Sequence, residues 1–174
     1  MTITQIPKTN IFYGDSTTES KEFEAKGIKN IFFLPSIIPE EILKVRGAKL
    51  HTYTEKTHPL LAPAATIQLV AQANKLQTNF AIICMVGADT SPMLAATCLL
   101  GRGYTPKQVK DLFSAAKKNT WHGRPTNINW IVNEAENTIK TYCNSKLKIK
   151  KPKTKLLRTE AQKKFAAKRR IVRR

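Results

Sequence analysis

FAIICMVGADTSPML, residues 80–94, runs from an apolar segment through a short turn into a second apolar segment. The continuous apolar run that follows Asn79 and ends at Cys84 is typical of a strand buried in the centre of a sheet. Ser91 and Pro92 form a favourable N-cap and first-turn pair, so a helix is predicted from there through Leu100. The sequence therefore predicts a buried strand that ends at a cysteine and leads directly into a helix.

Three more strands are predicted earlier in the chain, at residues 10–14, 27–35 and 47–54. The first ends in a turn at Gly14, the second is an apolar run closed by Pro35, and the third alternates apolar and polar residues. Helices are predicted within the polar segment 15–26, at 40–45 and at 63–76. The last of these crosses back over the sheet to the strand at 79–84.

Downstream of the cysteine the pattern is entirely helical. Thr105 and Pro106 repeat the cap-and-proline pair and begin a helix whose apolar residues extend to Ala116. A last helix from about Thr126 has one apolar face, formed by Ile128, Ile131, Val132, Ala135, Ile139 and Tyr142. Early strands, one crossover and then helices predict a compact α/β domain with a central, mostly parallel sheet covered by helices.

The positive charge of the chain is concentrated at its C-terminus. The 174 residues carry a net charge of +18 at pH 7. Residues 146–174 contain 14 Lys or Arg against one acid, Glu160, whereas residues 1–145 contain 16 basic and 11 acidic side chains. We therefore expect one globular domain at 1–145 and a basic C-terminal arm at 146–174, extended as far as Lys155 and helical from Thr159 to Arg170.

The arm is expected to bind a polyanion, because so dense a positive charge attracts phosphate backbones and binding releases their condensed counterions. Nucleic acid is the expected partner, and an acidic protein surface is the alternative; a solubility tail and a nuclear import signal are further interpretations. The cations assigned to this contact are Lys150, Lys151, Lys153, Lys155, Arg158, Lys168, Arg169, Arg170, Arg173 and Arg174.

The cysteines and histidines predict neither a metal site nor a cofactor. They lack the spacing of metal ligands or of a disulfide framework; these residues are Cys84, Cys98, Cys143, His51, His58 and His122. The chain has no signal-peptide segment and no apolar run approaching about 18 residues. We therefore expect an intracellular protein of the cytoplasm or nucleus, or of the interior of a virion, that makes no membrane contact.

The cysteine turn resembles the phosphate-binding loop of the dual-specificity phosphatase family, especially of its compact viral members. The family loop reads His-Cys-x-x-Gly-x-x-Arg-Ser. Cys84, Gly87 and Ser91 match it, whereas Ile83 and Thr90 replace the histidine and the arginine. The similarity extends from about residue 10 to residue 142, and it includes the opening at 10–14, the strand at 27–35 and the segment 123–127 before the last helix.

The resemblance implies the fold of these enzymes without their activity. Such phosphatases need a thiolate nucleophile and an arginine that holds the phosphoryl oxygens in the transition state. The only charged side chain of this loop is Asp89, which repels a phosphate dianion, and loss of the cation costs on the order of a thousandfold in rate. Cys84, Gly87, Asp89, Thr90 and Ser91 are therefore expected to form a vestigial loop, with Cys84 a buried, small apolar residue.

The general acid of the family has no clear counterpart. In the family an aspartate follows the strand that precedes the crossover helix. The corresponding segment here contains Glu55 and His58, either of which can donate a proton in principle. We expect both to be exposed loop residues.

The resulting expectation is an inactive phosphatase-fold protein that acts as a structural or binding module, and the likeness to viral members implies a virion component near packaged genome. An active phosphatase of altered specificity would use Cys84 with Arg124 or Arg102 supplied from outside the loop. A phosphopeptide-binding module would use the backbone amides of residues 87–91, and a dedicated nucleic-acid binder would use the domain as a scaffold. Trp121 and Trp130 are expected to anchor the last helix, with base stacking as the alternative.

Overall fold

A five-stranded sheet forms the centre of the protein. The computed structural model describes residues 3–53, 63–116 and 127–143. The strands are β1 (Ile3–Gln5), β2 (Ile11–Asp15), β3 (Asn30–Phe33), β4 (Lys49–Thr52) and β5 (Phe80–Cys84), in the order β1-β2-β5-β3-β4. The strands β2, β5, β3 and β4 are parallel to their neighbours, and β1 pairs antiparallel with β2. The predicted mostly parallel α/β sheet is confirmed.

Helices cover both faces of the sheet. They are α1 (Ser20–Ala25), α2 (Glu40–Leu43), α3 (Pro63–Asn74), α4 (Thr90–Gly101), α5 (Pro106–Ala115) and α6 (Ile128–Cys143). The side chains of Phe80, Ile82 and Cys84 point to the layer of α3 to α6, whereas Ala81 and Ile83 face the smaller layer of α1 and α2. Because β5 is covered on both sides, all of its residues are buried, which explains its continuous apolar sequence.

The two C-terminal helices follow their sequence signals. Thr105 caps α5 by accepting from the backbone N–H of Gln108, whose side chain in turn accepts from the backbone N–H of Thr105, a complete capping box. On α6, Ile131, Val132 and Ala135 are buried against the same core, as the apolar face predicts. Trp130 is 44% exposed, so the prediction that it anchors this helix is wrong; Trp121 lies outside the described residues.

The first strand was not among the predicted elements. β1 contains three residues, too few for its alternation to be recognised in the sequence. It exists because its backbone pairs with β2 in the register Ile3 to Gly14 and Gln5 to Phe12, and because Ile3 packs in the core between the sheet and α1. Both the pairing and the packing are tertiary contacts, which the local sequence does not reveal.

His51 has a structural place in the sheet. On β4 its ring stacks on that of Phe32, with centroids 4.6 Å apart, and its two nitrogens lie 3.1 Å from Asn30 Oδ1 and 3.1 Å from Gln72 Nε2. Burial, with a contribution from the positive charge of Lys49, lowers the pKa of His51. In the described ranges, no three His, Cys, Asp or Glu side chains cluster as a metal site would require.

None of the helices in the described part of the chain is both long enough and apolar enough to cross a bilayer.

Candidate functional site: a loop between β5 and α4

The loop that resembles a phosphate-binding loop lies at the carboxyl edge of the parallel strands. Cys84 is the last residue of β5 and pairs in register with Asp15, the last residue of β2. Residues 85–89 then turn into α4, which begins at Thr90. Ligand sites of open parallel sheets occur at this edge, so the candidate loop is in the place where a phosphatase of this fold would bind substrate.

Gly87 holds the loop against the end of β2. Its φ of +74° lies in the left-handed region, and a Cβ added there would lie 3.0 Å from both the backbone N of Asp15 and the carbonyl carbon of Gly14. The hydroxyl of Ser16 donates to the carbonyl oxygen of Met85 at 3.1 Å and fastens the same two segments. The glycine thus serves both a backbone conformation and a close approach that exclude any side chain.

We expect Gly87→Ala to destabilise the protein by about 2 kcal/mol, because the substitution adds left-handed strain and a backbone clash. Gly27→Ala is the matched control: Gly27 also has a positive φ, +60°, but a Cβ there would meet nothing within 4 Å. The control should lose only the conformational part, about 1 kcal/mol. Chemical denaturation measures both, and equal losses would show that the contact with Asp15 contributes nothing.

Hydrogen bonding in the loop identifies Cys84 as a donor. The hydroxyl of Ser91, which is fully buried, donates to the carbonyl oxygen of Gly14 at 3.0 Å. Because a serine hydroxyl carries one hydrogen, its contact with Cys84 Sγ at 3.3 Å requires the thiol to donate. The sulfur also accepts from the backbone N–H of Gly87 at 3.1 Å, so this amide already has an acceptor within the loop.

The same contacts correct the predicted N-cap of α4. The helix begins at Thr90, Asp89 takes the N-cap position without a side-chain cap, and Ser91 lies inside the first turn. Its buried bond to the carbonyl oxygen of Gly14 replaces the local capping bond that the sequence favoured.

The electrostatics of the loop oppose anion binding. Asp89 is exposed at the N-terminus of α4. A second carboxylate, Asp15, is buried beside the loop and accepts from the backbone N–H of Thr17 at 2.9 Å. Asp15 was not among the predicted site residues, although its position directly after the predicted apolar strand at 10–14 was a usable signal. Two carboxylates therefore stand where this fold would need positive charge.

Arg102 does not supply the missing cation. It is the C-cap residue of α4, at the opposite end of the helix from the loop. Its guanidinium donates to Asn10 Oδ1 at 2.7 Å, to Asn74 Oδ1 at 2.9 Å and to the carbonyl oxygen of Ala73 at 3.4 Å. A helix of this length spans about 18 Å, so the alternative in which Arg102 reaches the loop is wrong. Within the described ranges no hydrogen bond or ion pair joins a Lys or Arg side chain to residues 84–91.

The loop presents apolar side chains to solvent instead. Met85 is 61% exposed and Val86 is 38% exposed. Cys84 behind them is 6% exposed and packs in the core. Met85, Val86 and Asp89 are therefore the exposed part of the loop, and the sulfur belongs to its buried part.

Several predicted residues lie outside the described part of the chain. These are the general-acid candidates Glu55 and His58, the second arginine candidate Arg124, together with His122 and the whole basic arm at 146–174.

Comparison with known proteins gives the fold. No family model and no curated protein matches the sequence. Among solved structures, human DUSP28 aligns over 80% of this chain and 96% of its own, with a TM-score of 0.55 and 13% identity. Kinase-associated phosphatase with serine in place of its catalytic cysteine aligns over 82% of this chain and 94% of its own, with a TM-score of 0.54 and 15% identity. The Yvh1 phosphatase domain of Chaetomium thermophilum aligns over 83% of this chain and 99% of its own, with a TM-score of 0.51 and 12% identity.

These identities are too low to carry an activity from one chain to another. The likeness concerns architecture alone. The chain has the fold of the dual-specificity phosphatases.

Proposed function

We propose that this chain is a catalytically inactive phosphatase-fold protein. Its globular domain acts as a structural or binding module, and its basic arm binds nucleic acid or another polyanion. The observation that supports inactivity best is the charge at the loop: its own charged side chain is the carboxylate of Asp89, and within the described ranges no Lys or Arg side chain bonds to residues 84–91.

The chemistry explains why this charge matters. Cysteine attacks as the thiolate, which nearby positive charge favours, and the charged side chain of this loop is the carboxylate of Asp89. The transition state of phosphoryl transfer spreads negative charge over its equatorial oxygens, and a guanidinium that stabilises it contributes about 10³-fold or more in rate. The charged side chain that this loop itself supplies is the carboxylate of Asp89, which has the wrong sign to stabilise those oxygens.

Support for the polyanion partner comes from the arm. Its many positive side chains repel one another, and a polyanion that neutralises them releases its condensed counterions. The proposed contact is independent of sequence, since Lys and Arg on a phosphate backbone read no base. The resemblance to viral phosphatases and this arm together favour a role in a virion next to packaged genome.

Hydrolysis of an aryl phosphate tests the inactive assignment. We expect wild type and Cys84→Ser to give the same rate, equal to the buffer background. Cys98→Ser is the matched control for accidental thiol reactivity, because burial raises the pKa of the Cys98 thiol to about 12 and leaves it inert. Hydrolysis at ordinary enzyme rates that disappears only in Cys84→Ser would establish an active phosphatase.

The phosphopeptide alternative has a separate readout. Titration of the isotope-labelled protein with a phosphotyrosine or phosphothreonine peptide should leave the backbone amide signals of residues 87–91 unchanged, because the Gly87 amide is already bonded to sulfur and Asp89 repels the dianion. Saturable shifts confined to those amides would assign the loop as a phosphopeptide reader.

A further inference from the structure

The fold gathers a second set of basic residues at the edge of the sheet opposite the cysteine loop. In the parallel strands, the segments that lead into each strand all meet at the amino edge. Six of these segments' side chains are basic, and we call them the basic edge: Lys8, Lys26, Lys29, Arg46, Lys49 and Lys75. They are scattered over 68 positions of sequence, so no local pattern reveals the cluster.

Backbone contacts fix several of these residues side by side. The N–H of Lys49 donates to the carbonyl oxygen of Lys29 at 2.9 Å. Asn79, just before β5, accepts from the N–H of Lys29 at 2.8 Å and donates through its side chain to the carbonyl oxygen of Lys26, also at 2.8 Å. A Cβ added at Gly47 would lie 3.8 Å from Lys29 Nζ, which places that ammonium beside the turn that carries Arg46 and Lys49.

The basic edge is a row. Its residues precede β2, β5, β3 and β4 or, in the case of Lys49, begin β4, and these strands are adjacent in that order. Neighbouring strands are about 4.8 Å apart, so the row crosses about 14 Å. An array of cations at this spacing matches the repeated charges of a nucleic-acid backbone, which follow one another every few ångströms.

The charges of the row are available to a ligand. Lys29, Arg46, Lys49 and Lys75 are exposed, and none of them takes part in an ion pair within the described ranges. Glu24 is the acid seen to touch the row, and its carboxylate accepts from the backbone N–H of Arg46 at 3.1 Å. That bond is made by the backbone of Arg46, and its guanidinium forms no ion pair within the described ranges.

We propose that the basic edge is a nucleic-acid-binding surface of the globular domain, distinct from the arm, that contacts the phosphate backbone without reading sequence. An acidic protein partner fits less well, because protein interfaces are built around an apolar core. The exposed large apolar side chains of the described residues are elsewhere: Ile37, Met85 and Val86 follow the carboxyl ends of β3 and β5, Leu43 is on α2 and Trp130 is on α6.

The test uses the full chain and a short, labelled, single-stranded DNA of mixed sequence. In the edge variant, Lys29, Lys49 and Lys75 are changed to Gln. We expect its plot of log K against log salt to flatten by about 2, since each lost phosphate contact on a single strand removes about 0.7 from the slope. Affinity at about 0.1 M salt should fall about tenfold or more.

A matched variant removes the same net charge from helices: Lys21→Gln, Lys110→Gln and Lys140→Gln, on α1, α5 and α6. It should change the slope by less than about 0.5, and Lys→Arg at the three edge positions should restore wild-type binding. Equal effects of the edge and helix variants, or no effect of the edge variant, would overturn the proposal.

The arm is tested separately in the same assay. Comparison of wild type with a chain whose arm cations are replaced by Gln measures the contribution of the arm. If that chain binds like wild type while the edge variant is weakened, the arm proposal fails and the edge proposal stands. If only the arm variant is weakened, the reverse holds.

Discussion

Replacing the ten assigned cations of the arm by glutamine will lower the affinity of the full chain for nucleic acid by about a thousandfold or more at about 0.1 M salt. The ten positions are Lys150, Lys151, Lys153, Lys155, Arg158, Lys168, Arg169, Arg170, Arg173 and Arg174. Each cation that neutralises a phosphate releases counterions, and a protein with 6–10 such contacts changes its affinity about 10³- to 10⁵-fold between low and moderate salt. Fluorescence anisotropy over a salt series measures the effect.

The control is an arm of the same composition in a shuffled order. Because phosphate contacts do not depend on the order of the cations, the shuffled arm should bind like the native arm and show the same salt slope. Loss of binding on shuffling would point to a specific recognition motif. Unchanged binding after neutralisation would leave the arm as a solubility tail or an import signal.

The strands and helices of the domain were largely predictable from local pattern. Residues 31–34 and 80–84 are continuously apolar because their strands are covered on both faces. Thr105 and Pro106 are a favourable pair for the start of a helix. β1 escaped prediction because three residues carry no period. The N-cap of α4 was misassigned because Ser91 bonds to Gly14, a residue 77 positions away.

The candidate site was predictable only where its residues are close together in the sequence. The cysteine, the glycine and the missing arginine are local and visible in the sequence. Donation by the thiol, the buried carboxylate of Asp15 and the basic edge each depend on residues that only the parallel sheet brings together. One strand-to-helix junction is enough to indicate the fold, whereas the charge at an edge of the sheet can be predicted only once the order of the strands is known.

Arg102→Met will destabilise the folded protein by about 3 kcal/mol and leave the loop at Cys84 unchanged. The half-buried guanidinium joins Asn10, at the start of β2, to Asn74 and Ala73 at the end of α3, and lies over the ring of Phe80 at 5.6 Å. Methionine fills a similar volume but leaves the side-chain oxygens of Asn10 and Asn74 without this donor, each of which costs about 1–3 kcal/mol when buried. The carbonyl oxygen of Ala73 keeps a bond from the backbone N–H of Leu76 at 3.1 Å. Partial access of water keeps the total near the lower end of that sum.

Lys107→Met is the matched control for this last change. Lys107 is exposed in the first turn of α5, five residues from Arg102, so its loss removes the same charge and none of these bonds. It should change the free energy of unfolding by less than about 0.5 kcal/mol. Burial lowers the pKa of Arg102, yet an arginine stays charged in proteins, so the difference between the two variants should not vary between pH 6 and 9. Arg102 stabilises the end of α4 that is farthest from the sulfur, so its loss should not change the chemistry at Cys84. An Arg102→Met variant that folds stably but changes the reactivity of Cys84 would contradict the inactive assignment, because that assignment requires Arg102 to have no part in the loop.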